Sequence, residues 1–339
     1  MSENPQDDKP STLATDFSVI KAHAGDYLEA VNEYIGEQRK AFEPEIRDLV
    51  HYCLEKGGKR IRPVLVYFSG YREGEPDPAL VKLGTVIELV HTATLVHDDI
   101  IDDASVRHGR DSVMEKYGSS VAVLLGDALF SHALRLAAEF PTVEVCREVA
   151  ASTRTVCTGE IHQSFRRGDE KMDLASYYRC IEMKTAELFR VACHLGAAIG
   201  GYSREFINAS GAYGYHLGTA YQIFDDYADI FSTEERMGKT LNTDILKGKF
   251  TLPIILLLES LNSTEKEKFL EELNNSEEVP VDTIATLMRT HEIKGKVMDH
   301  FNQQIQRGSD VLNPFGDLPA TLRLRELLSF VSAQIELLA

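Results

Sequence analysis

Apolar residues recur every three or four positions along almost the whole chain, and this periodicity restricts the fold more than any other feature. Two runs illustrate it: Leu83, Val86, Ile87, Val90 and Leu129, Ala133, Leu136, Ala137. This spacing lines one face of an α-helix, whereas the two-residue alternation of a half-buried strand is almost absent. Glycine and proline breaks separate the runs, so the pattern predicts an all-α protein of about ten helices.

Nothing in the sequence indicates a second folded domain. The chain has 339 residues, 43% of them hydrophobic, which is enough for a sizeable buried core. No linker of distinct composition divides it, and no segment repeats at a fixed interval. Residues 1–16 are polar and have no apolar core, so we expect a flexible leader rather than a signal or transit peptide. We therefore predict a single domain over residues 17–339.

Charge and composition exclude several classes of protein. The formal net charge is −17, with 53 acidic against 36 basic residues, whereas nucleic-acid-binding proteins carry an excess of Lys and Arg. The five cysteines are odd in number and lack C-x-x-C spacing, so we expect reduced thiols. Because no run of about 18 apolar residues is present, we expect no transmembrane segment and a cytoplasmic location.

An acidic cluster, Asp98-Asp99-Ile100-Ile101-Asp102, follows an apolar helical run. On a helix, Asp98 and Asp102 are four residues and about 6 Å apart along the axis, so their carboxylates leave the same face. Carboxylate oxygens are the ligands that Mg²⁺ prefers, and Mg²⁺ also binds phosphate oxygens of substrates. The spacing therefore indicates a site for metal ions and a diphosphate, and a solvated helix face is the alternative.

A second cluster, Asp225-Asp226-Tyr227-Ala228-Asp229, has the same spacing and again follows apolar sequence. Two copies make coincidence a poor explanation. Like charges at the end of apolar helices also repel one another and lose solvation, a cost that bound cations would offset. The second cluster therefore favours a metal site over a solvated surface.

A diphosphate site in an acidic protein needs clustered bases, and the sequence places them near predicted helix ends. Lys59 and Arg62 follow a pair of glycines and precede Pro63, which suits the first turn of a helix, where backbone N–H groups face an anion. The other candidates are His91, Arg107, His108, Arg110, Lys184, Lys239 and Lys249. Taken singly, such a Lys or Arg is more often a solvated charge, and a lone His is more often a core residue.

Together, five motifs in this order resemble the trans-isoprenyl diphosphate synthase family over residues 25–339. They lie at residues 58–63, 91–102, 184–185, 222–226 and 238–253. The resemblance implies an antiparallel helical bundle around a deep central cavity, usually in a homodimer. It also implies a magnesium-dependent prenyltransferase that joins an allylic diphosphate head to tail to isopentenyl diphosphate, and a lipid-like product released close to a membrane.

The resemblance also implies a role for each matching residue. Three Mg²⁺ ions would be held by the two acidic motifs, Asp98, Asp99, Asp102, Asp225, Asp226 and Asp229. The allylic diphosphate would be bound by Arg107, Lys184, Lys239 and Lys249. Isopentenyl diphosphate would be bound by Lys59, Arg62, His91 and His108, although the family usually has Arg at the last of these positions. The allylic cation would be stabilised by the Thr185 hydroxyl and the Gln222 carbonyl, beside Lys184.

In this family, the residues four and five positions before the first motif set the length of the product, because aromatic side chains there stop growth. Here these residues are Thr94 and Ala93. A small Ala leaves the tunnel open, and the next residues that could form its floor are Phe130 and Leu134. The resemblance therefore implies a product longer than twenty carbons, with a farnesyl or geranylgeranyl diphosphate synthase as the short-chain alternative.

Two further alternatives come from related proteins. A terpene cyclase or a head-to-head coupling enzyme uses a similar helical fold, but a cyclase needs no pocket for isopentenyl diphosphate such as Lys59, Arg62 and His91 would form. A noncatalytic subunit of a heteromeric synthase is the alternative outside the enzymes. Such subunits tend to lose the acidic motifs, and both motifs are complete here.

Overall fold

The computed structural model describes residues 17–55, 58–168, 172–232, 243–246, 248–275, 280–316 and 318–338. The leader at residues 1–16 and Lys239 lie outside the described residues. The extent of the domain, residues 17–339, therefore stays a prediction.

Helices make up nearly all of the described structure. The first half of the chain forms α1 (Phe17–Gln38), α2 (Arg47–Glu55), α3 (Ile61–Ser69), α4 (Pro78–Ile101), α5 (Val113–Tyr117), α6 (Ser119–Ala138) and α7 (Val143–Phe165). The second half forms α8 (Leu174–Ile181), a π-helical turn (Glu182–Ala186), α9 (Glu187–Ile199), α10 (Arg204–Phe231), α11 (Thr243–Leu246), α12 (Leu252–Ser260), α13 (Ser263–Asn275), α14 (Val281–Thr290), α15 (Ile293–Asp310) and α16 (Pro319–Glu336). The prediction of an all-α protein is confirmed, although the described residues form sixteen α-helices rather than about ten.

Polar side chains fix where several of these helices begin. The side chain of Asp77 accepts a hydrogen bond from the backbone N–H of Ala79 at the start of α4, and Pro78 occupies the first turn. Asp173 and Ser203 cap α8 and α10 in the same way. Each cap satisfies a backbone N–H that has no partner within the helix. The helices that carry the acidic motifs and Lys184 therefore have starting points set by local sequence.

The two helices that carry the acidic motifs pack in the middle of the molecule. Helix α4 packs against α1, α3, α6 and α9, and α10 packs against α9 and α15. The apolar face of α4 that the periodicity predicted is fully buried, since Leu83, Val86, Ile87 and Val90 are at most 1% exposed. A continuous hydrophobic core extends from Ile20 to Leu338. The acidic motifs thus lie at the ends of core helices.

A short hairpin forms the one β-sheet among the described residues. Strand β1 (Val106–Arg107) pairs with β2 (Arg110–Asp111) just after the first acidic motif. The turn residues, His108 and Gly109, have φ angles of 51° and 72°, and two successive positive φ angles match the twist of a tight hairpin. The hairpin was not predicted from the sequence, and it brings Arg107 back toward the motif.

Two helices, α4 and α6, are long and apolar enough to cross a membrane by length and composition alone. The apolar window of α4 is 61% buried inside the protein, and the last turn of the helix carries Asp98 and Asp99. The window of α6 is 44% buried. Core helices of folded domains commonly have this composition, so the observation is weak evidence for membrane insertion.

Close packing of α9 on α3 depends on Gly196. A Cβ atom there would lie 2.3 Å from Ser69 Oγ and 2.4 Å from the backbone oxygen of Val66. We expect Gly196→Ala to lower the free energy of unfolding by about 2 kcal/mol, because the helices would have to separate. Urea unfolding followed by circular dichroism measures the change.

Gly25→Ala on α1 is the matched control, because a Cβ there meets no atom within 4 Å. Alanine is the better helix former, so this variant should gain about 0.5–1 kcal/mol. Equal stabilities of the two variants would contradict the packing argument.

Candidate active site

Two cavities lie on either side of the second acidic motif, and each also contacts the first motif or its partners. The first cavity, of about 470 Å³, is lined by Asp99 and Asp225 together with bases: Lys59, Arg62, His91, Arg107, His108 and Arg110. The second, of about 210 Å³, is lined by Asp226, Asp244 and further polar residues: Gln163, Arg167, Tyr177, Lys184, Thr185, Gln222 and Lys249. The structure thus brings together most of the residues singled out in the sequence.

Each carboxylate of the first motif is paired with a base. Asp99 accepts a hydrogen bond from Arg107 Nε at 2.9 Å. Asp102 accepts one from Lys249 Nζ at 2.8 Å and is also paired with Arg167. The Nζ atom of Lys184 lies 3.5 Å from Asp98 Oδ2. These pairs compensate the acidic charge within the chain.

Burial still acts against the charge of Asp98. It raises the pKa of the Asp98 carboxyl to about 6, although the Lys184 ammonium lowers it. Burial also acts on Lys184 and lowers its pKa, but Asp98 and Glu160 together outweigh that effect, so the pKa of Lys184 is raised. Lys184 is therefore a protonated base at neutral pH, held between two carboxylates.

The second motif divides between the two cavities. Asp225 lines the first cavity, and its charge raises the pKa of Lys59 against the larger lowering by burial. Asp226 lines the second cavity, where burial raises the pKa of its carboxyl to about 7 while hydrogen bonds from Tyr177 and Gln222 lower it. Asp229 is 3% exposed and lines neither of these two cavities.

The first cavity has the character of an anion site. Burial lowers the pKa of Arg62, whose guanidinium lies 4.9 Å from the centre of the Phe189 ring. Burial, and then the neighbouring Arg62, hold the pKa of His91 well below its ordinary value. His91 is thus neutral at pH 7 and offers one ring N–H donor. Lys59 lines the same wall.

The hairpin completes this cavity with Arg107 and His108. Burial, and then Arg107, lower the pKa of His108, so His108 is also neutral at pH 7. Arg110 stacks on the Tyr52 ring at 4.2 Å and donates to the Tyr52 carbonyl oxygen. Arg107 lines this first cavity, whereas Lys184 and Lys249 line the second. The assignment of Arg107 to the allylic diphosphate therefore stays a prediction.

Lys184 and Thr185 lie on the π-helical turn between α8 and α9. π-helical turns occur frequently at functional sites. The Thr185 hydroxyl donates to Gln222 Oε1 at 2.8 Å, and Lys184 Nζ donates to Gln163 Oε1 at 3.1 Å. The residues expected to stabilise the allylic cation are thus in contact.

The residues assigned to product length lie away from both cavities. Ala93 is fully buried, and the Thr94 hydroxyl donates to the His91 carbonyl oxygen at 2.7 Å. The Phe130 ring lies 5.6 Å from the His97 ring, and Leu134 packs at the edge of the core. None of the four lines either of the two cavities. Their role in product length stays a prediction.

The site also contains residues that were missed in the sequence. Glu160 pairs with Lys184, Arg167 pairs with Asp102, and Tyr177 donates to Asp226. Glu160 and Arg167 lie on α7 or just beyond its end, with no motif to mark them. Tyr177 precedes Lys184 by seven residues, about two helical turns, and that spacing was the one available signal.

The donor set fits a divalent cation of the Mg²⁺ type. Carboxylate oxygens are its preferred ligands, and buried carboxylates with raised pKa values gain most from a nearby positive charge. Among the described residues, no three His, Cys, Asp or Glu side chains are gathered closely enough to hold an ion as they stand. For such a cation to bind, the bases that are now paired with the first motif would have to release its carboxylates.

We expect Asp226→Asn to stabilise the metal-free protein. The folded-state pKa of Asp226 is about 7 and its ordinary value is 3.8, so folding favours the protonated carboxyl. The contribution of this carboxyl to the free energy of unfolding is therefore fully present below pH 4 and is lost as the pH rises through 7. At pH 8 the variant should unfold with a free energy about 2 kcal/mol higher than wild type. Chemical denaturation in EDTA at several pH values measures this difference.

Asp26→Asn, at an exposed position on α1, is the control and should change little at any pH. A difference between Asp226→Asn and wild type that does not grow from pH 4 to pH 7 would contradict the prediction.

Comparison with known proteins identifies the family. The model of the polyprenyl synthetase family matches residues 43–290. Octaprenyl diphosphate synthase of Haemophilus influenzae is 29% identical over 286 residues, which are 84% of this chain and 87% of that protein. Heptaprenyl diphosphate synthase component 2 of Bacillus subtilis is 33% identical over 245 residues, 72% of this chain and 70% of that protein.

Solved structures agree with the sequence comparison. A polyprenyl synthase from Caulobacter crescentus CB15, in complex with calcium and isoprenyl diphosphate, has a TM-score of 0.84 and 27% identity to this chain. The match covers 95% of this chain and 98% of that one. The resemblance found in the sequence is confirmed, and the chain belongs to the polyprenyl synthetase family.

Proposed function

We propose that the protein is a trans-polyprenyl diphosphate synthase, which joins an allylic diphosphate head to tail to isopentenyl diphosphate and makes a product longer than twenty carbons. The observation that carries the proposal is the placement of two groups of bases in separate cavities beside the acidic motifs. Two cavities match the two diphosphates of such a reaction. A terpene cyclase needs one diphosphate site, and it leaves Lys59, Arg62 and His91 without a role.

The second cavity suits the allylic diphosphate. Lys184 and Lys249 line it, and Arg167 adds a third cation. The ions would be held by the acidic motifs, Asp98, Asp99, Asp102, Asp225, Asp226 and Asp229. When bound, Mg²⁺ supplies positive charge where the departing diphosphate becomes more negative. The lysines add fixed charge at the same place, which lowers the barrier to breaking the carbon–oxygen bond.

The residues beside the second cavity then act on the allylic cation. Thr185 and Gln222 offer oxygen dipoles, which stabilise a cation without forming a bond to it. Lys59, Arg62 and His91 hold the isopentenyl diphosphate so that its double bond attacks the cation. A proton then leaves the new carbon–carbon unit and passes to the departed diphosphate, and the product is again an allylic diphosphate.

The proposed product length is supported by Ala93 and by the relatives. A methyl side chain at this position leaves no aromatic barrier five residues before the first motif. The relatives named above are octaprenyl and heptaprenyl diphosphate synthases.

We also propose a homodimer. Its support is a set of exposed apolar side chains on the packed helices α6 and α7: Val121, Val123, Leu124, Ile161 and Phe165. A cytoplasmic location, with release of product close to a membrane, stays a prediction.

The direct test incubates the purified protein with farnesyl diphosphate, isopentenyl diphosphate and Mg²⁺ and sizes the dephosphorylated products. We expect chains longer than twenty carbons, no turnover in EDTA, and a loss of about a hundredfold or more in kcat for Asp98→Ala and Asp225→Ala. Arg154→Ala, at an exposed position on α7, is the control and should keep wild-type activity.

Other outcomes separate the alternatives. A dominant product of fifteen or twenty carbons would refute the proposed length, and a cyclic hydrocarbon would indicate a cyclase. Activity only after a second subunit is added would show that the chain is part of a heteromeric synthase.

Ala93→Phe tests the open tunnel. The ring adds bulk on α4 just before the first motif, so we expect shorter products while total condensation continues. Ala138→Phe, at an exposed position near the end of α6, is the control and should leave product length unchanged. The melting temperatures of both variants show whether folding is intact. An unchanged product distribution from a folded Ala93→Phe protein would refute the assignment of Ala93.

A further inference from the structure

A chain of three hydrogen bonds runs along the wall of the second cavity. The Tyr177 hydroxyl donates to Asp226 Oδ2 at 2.6 Å. The Gln222 amide nitrogen donates to Asp226 Oδ1 at 2.9 Å, and the Thr185 hydroxyl donates to Gln222 Oε1 at 2.8 Å. All four residues line this cavity. Neither the sequence motifs nor the proposed function gives Tyr177 a role.

This chain of hydrogen bonds connects two helical segments at two points. Tyr177 lies on α8 and Thr185 on the π-helical turn that follows it, while Gln222 and Asp226 are one turn apart on α10. Tyr177 and Asp226 are each 2% exposed, and Thr185 is 9% exposed. Buried hydrogen bonds of this kind are costly to leave unmade, so the geometry is strongly held.

The acceptor oxygens of Asp226 set the direction of every bond in the chain. Oδ2 accepts from the Tyr177 hydroxyl and Oδ1 accepts from the Gln222 amide nitrogen, so the nitrogen of Gln222, not its oxygen, faces Asp226. The Gln222 carbonyl therefore faces Thr185. Thr185 has one hydroxyl proton and donates it to that carbonyl, so its own lone pairs are left for the cavity.

The opposite arrangement would reverse the local dipoles. If the Gln222 amide turned over, its nitrogen would donate to Thr185, and the Thr185 proton would then point elsewhere. A cation in the cavity would meet the positive ends of these dipoles and would be destabilised. Stabilisation of a developing charge by preoriented dipoles depends on their direction.

We propose that Tyr177 is a positioning residue: by holding the Asp226 carboxylate, it fixes Gln222 and Thr185 with their oxygen atoms toward the allylic carbon. The inference rests on the proposed function, because it assigns these oxygens to the allylic cation. In this scheme the Tyr177 hydroxyl is bonded to Asp226 rather than to a substrate.

The test compares Tyr177→Phe with Tyr178→Phe. The Tyr178 hydroxyl hydrogen-bonds to His300 Nδ1 at 2.8 Å on another face of α8, so the control removes the same atom from the adjacent residue. We expect Tyr177→Phe to lower kcat at least about tenfold with the KM for isopentenyl diphosphate within twofold of wild type. Tyr178→Phe should leave both constants within twofold.

A second measurement examines the contact without turnover. In EDTA at pH 8, Tyr177→Phe should lower the melting temperature of the wild-type protein, because it leaves a buried carboxylate oxygen without its donor. In an Asp226→Asn background the same substitution should have a much smaller effect, since the acceptor charge is gone. Non-additivity of this kind identifies an interaction between the two residues.

The outcomes separate the inference from the proposed function. If wild-type protein is active and Tyr177→Phe has a kcat within twofold of it, the inference fails and the proposed function stands. If the two substitutions add fully in melting temperature, Tyr177 does not act through Asp226, and the inference fails on that ground. An inactive wild-type protein would overturn both.

Discussion

Charge compensation around the buried carboxylates is the constraint on which the rest of the structure depends. A charge removed from water is costly unless an opposite charge or several hydrogen bonds lie close to it. Asp98, Asp99 and Asp102 each have a Lys or Arg partner. The compensation is incomplete, because burial still raises the pKa of Asp98 to about 6. A bound cation would complete the charge compensation and stabilise the site. The incomplete compensation in the free protein therefore favours cation binding.

The helical scaffold makes this arrangement rigid. Helices α4 and α10 are held in the core by their apolar faces, and glycines such as Gly196 let neighbouring helices approach to backbone contact. The acidic motifs lie where these buried helices reach the cavities. Because packed helices resist small displacements, the carboxylates keep their spacing when their partners change. A site built on loops alone would lose that spacing.

Local sequence patterns predicted the helices and the acidic motifs of the site, whereas the contacts that were missed depend on long-range packing. Helical periodicity predicted the buried face of α4, and identical Asp spacing indicated a shared site, because both depend on residues close in sequence. Arg167 and Tyr177 meet their partners across 65 and 49 residues, so no local pattern reveals these two contacts. The hairpin that returns Arg107 to Asp99 depends on a two-residue turn, which the helical pattern did not reveal.

The pairing of Asp102 with two bases implies a coupling between the binding of a cation and the binding of a diphosphate. Any cation that binds Asp102 competes with Lys249 and Arg167, and the displaced bases then need another anion. A diphosphate in the second cavity would supply that anion, since both bases line its wall. Each ligand would therefore lower the free energy cost of binding the other, and linkage requires the effect to be equal in both directions. The charges that compensate one another in the free protein would thus couple metal binding to substrate binding.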